Sequence, residues 1–294
     1  MKRRTFIETS LATAALTAIP SRAFAAEHQI EKVGVQLYTV RDAMKADLAG
    51  TLAKVAAIGF KEVEFAGYFD RSPKDIRALL DKNGLTAPSA HFDLKVLQTK
   101  LLETIESAHV VGHKFLVCPW LDEKLRNEPD GYKKLGAEFS RIGEATKKAG
   151  IQLAYHNHVF EFQPDGNGKL PYDVLLESSD PGLVKMEMDL CWFTLGGQDP
   201  VAYFNKYPGR FPLVHVKDLK KIPKLAPGQK PDALMEDVQK EYMTAAGSGA
   251  IDWKRIFASS DKAGIEHYFV EHDSPKDAFA SLTTSYQYLA ALRF

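Results

Sequence analysis

Eight short apolar runs, separated by stretches with helical periodicity, fill the chain after residue 32, and this alternation limits the fold more than any other feature. The runs are "KVGVQLYTV", "FKEVEFAG", "TAPSAHF", "HKFLVCPW", "IQLAYHNH", "LVKMEMDLCW", "FPLVHVKDL" and "EHYFVEHD". Most helical stretches between them stop at a glycine just before the next run, at Gly59, Gly84, Gly112, Gly150 and Gly264. Glycine at that place supplies the left-handed residue that ends a helix and releases the chain into a strand. Ser72-Pro73 and Asp199-Pro200 read as helix starts. Eight strands and about eight helices over roughly 265 residues have the size and rhythm of a (β/α)8 TIM barrel, in α/β class and as a single domain. The competing doubly wound open sheet is weakened because no Gly-rich phosphate fingerprint follows "VGVQLYTVRD".

The barrel is expected to occupy residues 27–294, because the first 26 residues read as an export signal. "MKRRTFIETSLATAALTAIPSRAFAA" has a basic start, an apolar stretch from Leu11 to Ile19 and a small-x-small exit at Ala23-Phe24-Ala25, with cleavage after Ala25. Arg3-Arg4 followed by Phe6-Ile7 looks like the twin-arginine signature, so a periplasmic location, reached in the folded state, is expected. The apolar run is too short for a membrane anchor. Cys118 and Cys191 lie in strand-like runs and read as buried thiols. Formal net charge is zero, without a Lys/Arg stripe, which points away from nucleic acid and toward a small neutral ligand; homo-oligomerisation is left open.

Barrel strands turn alternate residues inward, so polar groups at strand ends can be tested for shared parity. Strand five offers Ala154, His156 and His158 on one side, and strand six Glu187 and Asp189. Strand seven offers Leu213, His215 and Lys217, and strand eight Phe269, Glu271 and Asp273; Glu64 and His91 end strands two and three. Singly, each has an ordinary structural explanation as a hydrogen-bonded residue or a helix cap. Together, carboxylates and imidazoles meeting at one barrel mouth call for a cation. A nitrogen and oxygen set without thiolates suits one divalent ion, Mn²⁺, Co²⁺, Fe²⁺ or Zn²⁺ rather than Mg²⁺. The connection after "LVHVKDL", about thirty residues rich in Lys and Pro, reads either as a cover over this mouth or as a solvated insertion.

"VGVQLYTVRD", "EMDLCW", "LVHVKD", "GSGAIDW" and "FVEHD", in this order over about residues 32 to 292, resemble the sugar phosphate isomerase/epimerase family, the xylose isomerase-like barrels that also include endonuclease IV. The resemblance implies one divalent metal held by Glu, Asp, His and Glu from strands five to eight. Asp189, His215 and Glu271 match the last three, while "AYHNH" puts His156 where the first carboxylate would stand. Either His156 or Glu161, five residues on, supplies that ligand, and Glu161 is alternatively a substrate contact. Glu64, His91, Trp192 and Asp218 are assigned to substrate binding beside it.

The resemblance also implies chemistry next to a carbonyl: Glu271 as base and Lys217 or His158 as proton donor, acting on a sugar or keto-sugar. The first expectation is therefore a metal-dependent sugar isomerase or epimerase. The second is a lyase or dehydratase on 3-keto sugars or glycosides, since a similar histidine-bearing strand occurs in the inosose-dehydratase-like branch. A DNA-repair endonuclease is disfavoured by Trp192, which stands where that branch carries an extra histidine, and by the zero net charge. A non-catalytic sugar-binding barrel is the remaining reading.

Overall fold

The apolar runs pair in parallel and close on themselves. In a computed structural model, which describes residues 28–164, 168–223 and 230–294, the strands are β1 (Val33–Gln36), β2 (Glu62–Phe65), β3 (Thr86–His91), β4 (Phe115–Cys118), β5 (Gln152–His156), β6 (Val184–Asp189), β7 (Leu213–Val216) and β8 (His267–Val270). They form one closed barrel in sequence order, with β8 beside β1. The proposed export segment lies outside the described residues; among the described residues no helix is long and apolar enough to cross a membrane.

Alternation along the strands sorts the core into two compartments. Phe115, Val117, Ala154, Leu213 and Phe269 form a buried cluster of their own inside the barrel. Their neighbours Leu116, Cys118, Leu153, Tyr155, Val214 and Val270 face outward and join the larger core under the helices. A Cβ on Gly34 of β1 would stand 2.6 Å from the Phe269 ring, so glycine at this strand position makes room for the interior phenylalanine. The five predicted helix-ending glycines all take positive φ. At Gly59, with φ 125°, the Tyr286 ring also occupies the place of a side chain, which docks the final helix Ala278–Ala291 against the preceding turn. Ser72 and Asp199 cap their helices through Asp75 and Val201 N–H, as expected. Both cysteines are buried free thiols.

The long connection after β7 is a cover rather than a solvated insertion. It holds a two-residue antiparallel ribbon, Asp218–Leu219 with Met243–Thr244, and the helix Pro231–Glu241. That helix sets Met235 and Gln239 over the cavity at the C-terminal ends of the strands.

Candidate active site

Register builds the site in two layers. In the lower one Gln36, Glu64 and Ser89 stand level on β1, β2 and β3. Glu64 accepts hydrogen bonds from Gln36 Nε2 at 2.7 Å, from Ser89 Oγ, and from His215 Nε2 at 2.7 Å. His91 Nε2 lies 2.8 Å from Glu187 Oε2 and 3.2 Å from Glu64 Oε2. In the upper layer β6 and β7 bring Asp189 opposite His215. His156 Nε2 lies 3.1 Å from His215 Nδ1 and 3.3 Å from Asp189 Oδ2, and His215 Nδ1 lies 2.7 Å from Glu271 Oε2.

The upper set fits a metal ion. The ligand atoms of His156, Asp189, His215 and Glu271 all lie within 4.8 Å of one another, and all four residues are buried. Donors bound at ~2.1 Å around a tetrahedral ion stand about 3.4 Å apart, so small adjustments would seat one. Asp189 Oδ2 is buried and lies 2.9 Å from Lys217 Nζ and 3.3 Å from His156 Nε2, an anionic oxygen set among positively charged and nitrogen donor groups. Glu64 on the opposite nitrogen of His215 completes a carboxylate–histidine pair of the kind that fixes a ligand's tautomer.

Charge organises the rest. Burial works against a charged Lys217, yet Asp189, Asp273 and Glu271, each 2.9 Å from its Nζ, hold its pKa well above the ordinary lysine value. Burial would raise Glu271, but Lys217 and then His215 draw it below the carboxylate range. His215 overcomes its own burial through Glu187 and Glu271 and rises well above 6.5; a divalent ion would replace its Nδ1 proton as the counter-charge. His91, paired by Glu64 and Glu187 against its burial, rises to about 9. His156 and His158 are lowered well below 6.5, by burial first and then by neighbouring charges, so His156 keeps a lone pair for a metal.

Above this floor opens a cavity of about 480 Å³, lined by His91, His156, His158, Lys217, Glu271 and Asp273 below, with aromatic and aliphatic residues at the sides. Of the residues singled out from sequence, these stand together. Others stand elsewhere. Glu161 is fully buried away from the cavity, accepting from Tyr155 OH and from His158 N–H at 3.0 Å. It therefore fixes the loop that carries His158, while His156 is the one of the two that stands beside Asp189 and His215. Trp192 is also fully buried, beneath the Lys217 ammonium at 5.5 Å, so it backs the site without facing substrate. Glu64 is fully buried one layer below the cavity, which it does not line. Asp218 is a correction of a different kind: its carboxylate accepts from Leu219, Gly247, Gly249 and Ile251 N–H and from Trp253 Nε1 at 2.9 to 3.2 Å. A Cβ on Gly249 would collide with that carboxylate at 2.2 Å, so "GSGAIDW" is the wrapping of this buried anion.

Sequence reasoning passed over Gln36, which is polar but not ionisable, and Trp120, Tyr38, Met235 and Gln239, which line the cavity from the loop after β4, the short 3-10 helix Leu37–Val40 and the covering helix. Gln239 Nε2 donates to Asp273 Oδ2 at 2.9 Å, which ties that helix to the Lys217 network. Only a three-dimensional arrangement reveals these.

Residues 52–292 match the family described as xylose isomerase-like TIM barrel. An inosose dehydratase of Lacticaseibacillus casei is 27% identical over 238 residues, covering 72% of this chain and 77% of its own. A solved structure of a sugar phosphate isomerase/epimerase from Parabacteroides distasonis ATCC 8503 superposes with a TM-score of 0.69 at 27% identity, over 95% of this chain and 99% of that one. The IOLI protein, solved with a bound zinc atom, shares the fold at 15% identity with a TM-score of 0.65, over 87% of this chain and 95% of that one. With the closed eight-stranded barrel and the family match over most of its length, the chain belongs to the xylose isomerase-like TIM barrel enzymes, whose members include isomerases, epimerases and dehydratases.

Proposed function

We propose that this protein is a divalent-metal-dependent enzyme that removes a proton next to the carbonyl of a keto-sugar and expels a substituent from the following carbon. The observation that carries the reading is the contact of Glu271 with Lys217 at 2.9 Å, beside the His156–Asp189–His215–Glu271 donor set. A bound Mn²⁺, Co²⁺, Fe²⁺ or Zn²⁺ would polarise the carbonyl and acidify the adjacent C–H. Glu271, held ionised by Lys217 and His215, takes that proton. The C–H electron pair becomes a C=C bond and the bond to the leaving oxygen breaks. Lys217, kept protonated by its three carboxylates, gives that oxygen a proton and is recharged from Glu271 across the same contact. His158, neutral and facing the cavity, is a hydrogen-bonding partner for the sugar rather than an acid.

This places elimination ahead of the isomerase or epimerase first expected. Inversion at carbon needs a second proton carrier on the opposite face, and His156 stands where the family resemblance implies a carboxylate. Similarity to inosose dehydratase supports the same choice. Isomerisation, by return of the proton to a neighbouring carbon, is the second reading, supported by likeness to a structure described as a sugar phosphate isomerase/epimerase. The deciding experiment incubates metal-loaded enzyme with a 3-keto-glucoside in D₂O. An unsaturated product, absent with Glu271→Gln, supports elimination; deuterium at carbon in an intact skeleton supports isomerisation. Neither product with any keto-sugar, in enzyme of verified metal content, defeats both.

We also assign residues 1–26 to twin-arginine export, on Arg3-Arg4, the short apolar run and the Ala-Phe-Ala exit. Replacing both arginines by lysine should retain the precursor in the cytoplasmic fraction; unchanged export would remove the assignment.

A further inference from the structure

The cavity walls differ in kind from its floor, and this difference speaks to the substrate. Tyr38, Phe92, Val96, Pro119, Trp120 and Met235 present apolar surface above the polar centre. Trp120 is the best placed of them. His158 meets its ring edge-to-face at 4.9 Å and Phe160 does so at 5.2 Å, which holds the indole in one orientation while leaving it half-buried. Met235, buried on the covering helix, adds an adaptable thioether to the same cavity. Tyr38 is 42% exposed, with Arg41 stacked 4.1 Å over its ring. A bare sugar has little use for this much apolar wall.

The same lining is unsuited to a phosphate. No arginine lines the cavity among the described residues, and Lys217 already meets three carboxylates. His91 is committed to Glu64 and Glu187. Asp93, Glu271 and Asp273 face the space instead, and would repel a phosphate dianion.

We infer that the substrate is an unphosphorylated keto-sugar bearing an apolar, ring-sized substituent, with the sugar on the polar floor and the substituent against Trp120 and Met235. This rests on the proposed keto-sugar chemistry and adds the class of group attached to the sugar. Polar contacts would orient the reacting carbon, while the apolar wall supplies affinity remote from it.

The test is binding to the full-length, metal-loaded protein of methyl 3-keto-glucoside, phenyl 3-keto-glucoside and 3-keto-glucose 6-phosphate. Calorimetry reads every protein alike, and the change in tryptophan fluorescence is assigned to Trp120 by comparison with Trp120→Phe, in which Trp192 and Trp253 remain. The phenyl glycoside should bind about tenfold or more tightly than the methyl one, and the phosphate weakest. Trp120→Ala should abolish the preference, lowering phenyl glycoside affinity about tenfold or more beyond any change for the methyl glycoside, whereas Trp120→Phe should retain most of it. Equal affinities for the two glycosides, tightest binding of the phosphate, or a preference untouched in Trp120→Ala would overturn the inference while the keto-sugar reading stands. If none of the three binds, the keto-sugar reading fails and the inference fails with it.

Discussion

His215 Nε2 lies 2.7 Å from Glu64 Oε2, on the side of the ring opposite the Nδ1 that faces Asp189 and Glu271. Glu64 is itself fixed by Gln36 and Ser89, so three strands away from β7 determine which nitrogen of His215 is free for a metal. Glu64→Gln keeps an acceptor of similar shape but removes the charge that holds the Nε2 proton. Metal affinity should fall roughly tenfold to a hundredfold, with the fold intact by circular dichroism. Competition with a chelator of known affinity measures it; an unchanged affinity would show that Glu64 does not set the ligand's tautomer.

The choice between His156 and Glu161 as the strand-five donor has a direct check in metal content. His156 Nε2 converges on Asp189 and His215, while Glu161 is occupied by Tyr155 and the His158 backbone. Mass spectrometry on natively purified protein should find about one divalent ion per chain, lost in Asp189→Ala and His156→Ala and retained in Glu161→Gln. Loss in Glu161→Gln together with retention in His156→Ala would reverse the assignment.

What could be read from the sequence follows the reach of its periodicities. Within strands the alternation of two is strict, so the sequence alone puts Ala154 with His156, Leu213 with His215 and Glu187 with Asp189 on one face. The helix-ending glycines were legible for a similar reason, because a positive φ leaves few other residue types. Past the last strand residue the alternation ends. Glu161, Trp192 and Asp218 lie beyond their strands, where loop and helix-start geometry turns side chains independently, and all three point away from the cavity. Glu64 failed differently. Its parity is correct, but staggering of the strands sets it one layer below the mouth. Trp120 carries no periodic signal, being two residues past β4, and its side chain is not ionisable.

Asp218 should be the most destabilising of these positions to alter. Four backbone N–H groups and an indole N–H converge on a fully buried carboxylate, which joins the ribbon after β7 to the turn before Trp253. Asp218→Ala leaves several buried donors unsatisfied and should cost about 3 kcal/mol or more in urea unfolding. Asp218→Asn, which retains one oxygen acceptor, should cost less. Substrate affinity of the folded Asn variant should be unchanged, since the side chain does not reach the cavity. A stable Ala variant with weakened substrate binding would return Asp218 to the site.

His113 gives the pH dependence that is easiest to isolate. It is buried on the outer side of β3 and β4, away from the metal-facing groups, with Nδ1–H donating to Ala87 O at 2.6 Å and Nε2 accepting from Tyr68 OH at 2.7 Å. Burial lowers its pKa from 6.5 to about 4. The unfolded chain therefore binds this proton more readily than the folded one. The stability contributed by the neutral ring is complete above about pH 6.5, declines as pH falls toward 4 and is constant below that; across the window the loss amounts to about 3 kcal/mol. His113→Asn removes the titrating group, so urea unfolding of both proteins between pH 7 and pH 4.5 isolates it from every other titration. The natural protein should lose about 2–3 kcal/mol more than the variant over that range. Parallel pH profiles for the two would show that His113 takes up its proton without leaving its buried site.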